Sequence, residues 1–167
     1  PIKLAQILTR LKNQKIENTI MEASSHGLKQ NRLDGLKFSS GIFTNLSQDH
    51  LDYHKNLKNY LKAKLYLFEE LIKKSGNLIT DQKIPEFKKI KKIASVKNLK
   101  LFSLFDNKNK FQLLSHKFEG EGQLLEIKYK KSIYKIKLNL IGKVQLKNML
   151  MAIIASIKSN ISIKDIF

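Results

Sequence analysis

The stretch "TIMEASSHGLKQNR", Thr19 to Arg32, runs from apolar residues straight into a glutamate, two serines, a histidine and a glycine. Polar chemistry at the end of an apolar run is where an α/β protein keeps its ligands, so the reading of this stretch decides the fold. A second stretch, "TNLSQDHLDYHKN" from Thr44 to Asn56, repeats the pattern with two aspartates and two histidines. Ile16 to Met21 and Phe38 to Thr44 are the apolar runs that precede the two clusters, and both are short enough to be strands.

Helical spacing surrounds them. Ile2, Leu4, Ile7, Leu8 and Leu11 predict a helix over Ile2 to Asn13, and Leu57 to Lys74 carries Leu57, Tyr60, Leu61, Leu65, Leu67, Phe68 and Leu71 on a long one. Asn77 to Thr80 is a third short strand, Pro85 suits the first turn of a lysine-rich helix, and Leu99 to Phe105 is extended. Strands alternating with helices predict a mostly parallel sheet between helical layers, a three-layer α/β fold. From Phe111 to Leu140 the pattern changes to three β runs, broken at "EGEG" (Glu119 to Gly122) and "KYKKS" (Lys128 to Ser132), with "IYKIKLNL" alternating at period two. That is a small antiparallel appendage. A helix then returns, with Met149, Ile153, Ile154 and Ile157 on one face and Asn160 as its stop. The expected parts are 1–106 parallel, 107–141 antiparallel and 142–167 the returning helix.

Composition sets limits. At 167 residues and 42% hydrophobic content the chain can bury one sizeable core, and no window reaches the roughly eighteen apolar residues of a membrane span. No membrane association is expected. Without cysteine there is no disulfide framework and no thiolate metal site, which suits a reducing cytoplasm. The chain opens on Pro1 with no signal-peptide pattern, and reads as a piece of a longer one. The net charge of +18 invites a nucleic-acid reading, but only Arg10 and Arg32 among 32 basic residues are arginine, the residue of bidentate phosphate and base contacts. The lysines are scattered, as on a solvated surface.

If the strands ending at Met21 and Thr44 are neighbours, both clusters emerge at the carboxyl edge of the sheet. Glu22 then faces the segment carrying His50, a carboxylate and an imidazole able to form half of a Mg²⁺ or Zn²⁺ site, with Asp49 or Asp52 orienting an imidazole. His50 and His54, four apart, would share a helical face. Plainer roles compete: Ser47 or Asp49 as the cap of a helix beginning near Leu51, His26 and His54 as packing residues, His116 at the surface, Gly27 and Gly35 as turn glycines. A metal-dependent hydrolase built on Glu22, His50 and His54, and a basic nucleic-acid-binding module, are the alternative functional readings.

"MEASSHGLKQNRLDGLKF" followed by "FTNLSQDHLDYHKNLKNYLKAKLYLF" resembles the central domain of the Mur ligases, and within them the branch that adds the third residue of the peptidoglycan stem peptide. The resemblance runs along the whole chain. It implies an ATP-dependent ligase: ATP phosphorylates the D-Glu carboxylate of a UDP-N-acetylmuramoyl-dipeptide, and the amine of a diamino acid, meso-diaminopimelate or L-lysine, attacks the acyl phosphate. By position it implies Glu22 and His50 as Mg²⁺ ligands; Ser24, Gln30 and Arg32 as holders of the UDP-linked substrate; Lys64 as a carbamylated lysine; and Asn148 as a nucleotide contact. Gln145 departs from the asparagine usual at its position. The family's Gly-rich phosphate-binding loop is absent from the seven glycines here, "GKV" at Gly142 not being that motif. The resemblance therefore implies that the N-terminal and C-terminal domains of the enzyme lie outside this chain, which alone holds about half of a site and is expected not to turn over ATP.

Overall fold

The computed structural model describes residues 2–106 and 110–167. Helix α1 (Ile2–Asn13) leads by an irregular extended passage into the short α2 (Ser25–Lys29) and strand β1 (Phe38–Phe43). A one-turn α3 (Leu51–His54) and α4 (Leu57–Tyr66) follow, and a π-turn (Leu67–Leu71) delivers the chain into β2 (Ile72–Asp81). Then come α5 (Phe87–Val96), β3 (Lys100–Leu104), the antiparallel β4 (Phe111–Glu119), β5 (Gly122–Tyr129) and β6 (Ser132–Leu138), α6 (Lys143–Lys158) and α7 (Ile163–Ile166).

Strands β1, β2 and β3 form a parallel sheet in that order, with Gly41 opposite Leu78 and Thr80 opposite Ser103. Alternation along β2 divides the interior in two. Leu78 joins Leu28, Phe43, Leu65, Phe68 and Ile90 beneath α2, α4 and α5. Its neighbour Ile79 points the other way, to Leu104, Leu125, Ile127 and the buried face of α6. Helices on one face, α6 and the antiparallel sheet on the other, give the three-layer α/β arrangement that the alternation of elements predicts. Burying a side chain such as Phe43 or Phe68 contributes about 2 kcal/mol to the first of these cores.

The antiparallel appendage has the three runs and the two turns read from the sequence. The expected domain boundary at 107 falls outside the described residues. Helix α6 ends in a Schellman pattern, with Asn160 N–H on Ile157 O, Ile161 N–H on Ser156 O, and Asn160 itself left-handed at φ 62°.

Four expectations fail. Pro85 stands ahead of the N-cap Glu86 and outside the first turn of α5. Ile16 to Met21 is no strand: a strand needs a hydrogen-bonded neighbouring strand, and this passage has none among the described residues, leaving Ile20 at 91% exposure. The long helix stops at Tyr66, and the π-turn passes Ile72 to Lys74 to β2 instead. Gly41 permits that turn, since a Cβ there would stand 2.8 Å from Phe68 Cε1 and 2.9 Å from Ile72 Cδ1. Neither Ser47 nor Asp49 caps α3. His50 takes the N-cap position in a left-handed conformation, and Asp49 Oδ1 accepts only from the adjacent His50 N–H at 2.9 Å.

Candidate functional site

The passage from Glu17 to Ser25 and the free edge of β1 do not pair. Between them lies a cavity of about 520 Å³, floored by Leu67 and Phe68 and closed on a third side by Ala152, Ala155 and Ser156 of α6. Glu22, Ser24, His50 and Lys64 all line it. Both polar clusters thus meet in one cavity without their apolar runs being neighbouring strands.

Lys64 enters from α4, one turn beyond Tyr60. Its Nζ donates to Asn45 O at 2.5 Å, just past the end of β1, and lies 5.2 Å from the Phe43 ring and 5.3 Å from the Tyr60 ring. Desolvation lowers its pKa from the ordinary lysine value, with Glu86 acting weakly the other way. A nitrogen so placed spends more of its time as the neutral, nucleophilic amine than a surface lysine does.

The histidines separate by environment. His50 is open to the cavity, with Asp49 Oδ2 at 3.7 Å from its Nε2, so Asp49 rather than Asp52 stands beside it. His54 is wholly buried: its Nε2 shares a hydrogen bond with Ser25 Oγ at 2.9 Å, and its ring stacks on Tyr60 at 5.0 Å. Its Nδ1 has no hydrogen-bond partner among the described residues. Burial, then the charges of Lys29, His26 and His50, lower its pKa, and Asp52 opposes them. The two histidines therefore do not share a working face, because His50 is a left-handed cap outside the single turn that buries His54. His26 fills the space between them, its ring 5.0 Å from His50, 4.1 Å from Tyr53 and 5.4 Å from His54. This ring cluster fastens α2 to α3.

Ser24 caps α2, accepting from Gly27 N–H at 3.2 Å. Gln30 and Arg32 lie exposed beyond α2, outside the cavity wall, with Gln30 Nε2 donating to Tyr53 Oη at 2.9 Å. Asn148 is exposed on α6 and does not line the cavity. His116 is half-buried and hydrogen-bonded to Gln123, a structural contact in the appendage. Sequence reading missed Tyr60 as a wall of the site and Asn56 as the cap of α4, where its Oδ1 accepts from Asn59 N–H at 2.9 Å. Asn56 was legible, standing directly before the periodic residues of α4.

Comparison with known proteins bears on the same residues. The family model described as "Mur ligase middle domain" matches residues 1–156. A UDP-N-acetylmuramoyl-L-alanyl-D-glutamate--2,6-diaminopimelate ligase of Zymomonas mobilis subsp. mobilis is 39% identical over 137 residues, covering 82% of this chain and 28% of its own. The protein of the same name from Phocaeicola vulgatus is 40% identical over 151 residues, covering 90% of this chain and 30% of its own. The chain thus spans under a third of the length of the curated relatives it matches. A solved structure of a ligase with that name superposes with a TM-score of 0.73 at 26% identity, over 87% of this chain and 30% of that one. The MurF ligase from Thermotoga maritima in complex with ADP shares the fold at 11% identity, with a TM-score of 0.60 over 80% of this chain and 30% of that one.

Proposed function

Because the chain belongs to the Mur ligase family, as its middle domain, we propose that it is the carboxylate-activating part of an ATP-dependent ligase acting in the cytoplasm on peptidoglycan precursors. The whole enzyme joins a diamino acid, 2,6-diaminopimelate in keeping with the relatives' names, to a UDP-N-acetylmuramoyl-dipeptide. The observation that carries this reading is the single cavity receiving Glu22, Ser24, His50 and Lys64 from three separate segments.

The chemistry divides among these groups. ATP transfers its terminal phosphoryl group to the D-Glu carboxylate, and the diamino acid's amine displaces phosphate to form the amide. Two anions must meet for the first step, so the site has to neutralise charge. The donors fit Mg²⁺: a carboxylate, Glu22, and an imidazole, His50, line the same cavity, and no set of three acidic or histidine side chains able to hold a metal exists among the described residues. A closed structural zinc site would need four such donors, whereas magnesium takes one or two from the protein and the rest from phosphates and water. When bound, the ion would spread the negative charge of the triphosphate and the substrate carboxylate.

Lys64 completes the set as a carbamate. The ammonium first gives up a proton, the neutral amine then adds CO₂ through its lone pair and loses a second proton, so that a cation is replaced by an anionic N-carboxylate with two oxygens in the cavity that His50 also lines. Its N–H can still donate to Asn45 O. Ser24, once its oxygen has capped α2, keeps a hydroxyl proton to give the UDP-linked substrate. Gln30 and Arg32, on the outer side of α2, suit the more distant anionic parts of that substrate, Arg32 through its planar fork. Asn148 holds the nucleotide from α6. The hydrolase alternative loses its third ligand, because His54 is committed to Ser25 and closed off from the cavity.

The test uses the full-length enzyme. Glu22→Ala and His50→Ala should each lower kcat by roughly two orders of magnitude while leaving the affinity for the UDP-linked dipeptide within about threefold, since their contribution falls on charge developing in phosphoryl transfer. Equal losses in turnover and in affinity would mean that these residues only shape the pocket.

A further inference from the structure

The last residue of β2 is Asp81, wholly buried at the carboxyl edge of the parallel sheet. Its Oδ1 accepts from Lys83 N–H at 2.8 Å and so shapes the turn that leaves β2. Its Oδ2 faces Lys147 Nζ at 2.7 Å and has no other partner among the described residues. A carboxylate in that position is tolerable only while its cation stays, because an unpaired buried charge costs several kcal/mol.

Lys147 sits in the second turn of α6, between the buried Leu146 and the exposed Asn148. The start of that helix is otherwise lightly held. Gly142 precedes it at φ 116°, no side chain caps it, and Lys143, Val144 and Gln145 are all exposed. Leu146 and Leu150 bury the apolar face of α6, and the Lys147–Asp81 pair is the charged contact that ties its first turns to the carboxyl end of β2. Neighbouring helical residues point about 100° apart, so the direction of Asn148 follows from that of Lys147.

We propose that Asp81 and Lys147 are positioning residues for nucleotide binding: their ion pair fixes the rotation and height of the α6 start and thereby aims Asn148 at the nucleotide. The inference rests on the ligase reading above, and deepens it by naming what holds the nucleotide-facing helix. It predicts an effect on ATP that leaves the UDP-linked substrate alone, because Glu22, Ser24 and His50 are carried by other elements.

The experiment compares full-length enzyme with Lys147→Met, Asp81→Asn and the charge-neutral double variant, measuring Mg-ATP affinity, affinity for the UDP-linked dipeptide and Tm. The single Lys147→Met should weaken ATP binding about tenfold and lower Tm, with the other affinity unchanged. Removing both charges should restore Tm, since no orphan carboxylate remains, yet leave ATP binding weak. That split separates positioning from mere stability. ATP affinity that returns together with Tm in the double variant, or that is untouched in either variant, overturns the proposal. An unaltered enzyme that binds no ATP at all would instead overturn the ligase reading on which it stands.

Discussion

Lys64 carries the largest chemical consequence of any single side chain here. A half-buried ammonium facing two aromatic rings and one carbonyl is poorly solvated, which is why its pKa falls, and none of the carboxylates forms a close ion pair with it among the described residues. The head of this lysine is not left free in water, the usual fate beside an apolar helix face: it is held by Asn45 O next to the rings of Phe43 and Tyr60. Conversion to a carbamate, as proposed, would remove the unfavourable cation. In the full-length enzyme Lys64→Ala should therefore lose roughly two orders of magnitude in turnover, and a short carboxylic acid in the buffer should partly restore it by taking the carbamate's place. Lys64→Arg should stay inactive under the same rescue, because its guanidinium fills the space and keeps the charge. Turnover of the alanine variant near the unaltered level would refute the role, and low activity that no small carboxylate improves would refute the carbamate.

At the scale of elements, the junction between α2 and α3 is where the two polar clusters become one, and it is held by the buried His54 to Ser25 hydrogen bond inside a set of packed rings. His54 is kept neutral, its folded pKa lying below the unfolded value near 6.5. The sign follows: the unfolded chain binds the proton first as pH falls, so the contribution of His54 is complete above about pH 6.5 and is lost as pH drops toward the lower folded value. Thermal denaturation of the full-length protein from about pH 7.5 to about pH 5.5 should show a steeper fall in Tm than the same titration of His54→Gln. Parallel curves would contradict it. The sequence offered His26 and His54 as packing residues, but not the Ser25 partner, because Ser25 and His54 meet only through the fold. What was visible was local: the hairpins of the appendage, with their turn residues between alternating runs, and the stop of α6 at Asn160, whose short polar side chain tolerates a left-handed backbone. The misreadings have one physical source. Ile16 to Met21 has the apolar content of a strand, but strand formation depends on a neighbour that no periodicity reports, and the apolar spacing through Leu71 continues across the π-turn without marking where the helical hydrogen bonds end.

At the scale of the molecule, a parallel sheet with helices on one face and α6 with an antiparallel sheet on the other presents an open cavity beside β1, and Glu22, Ser24 and His50 of the two motifs line it together with Lys64 from α4. Gln30, Arg32 and Asn148 stand outside that cavity and are exposed. On the proposed reading Glu22, His50 and Lys64, drawn from separate segments, act as one unit in phosphoryl transfer. Groups that work as a unit are non-additive, each loss costing nearly all that the others could still lose. The most direct measurement is kcat for ATP turnover in the full-length enzyme carrying Glu22→Ala, His50→Ala or Lys64→Ala singly and all three together. Each single variant should fall nearly as far as the triple variant; three separate losses that multiply to give the triple variant's would refute the joint action of the three groups.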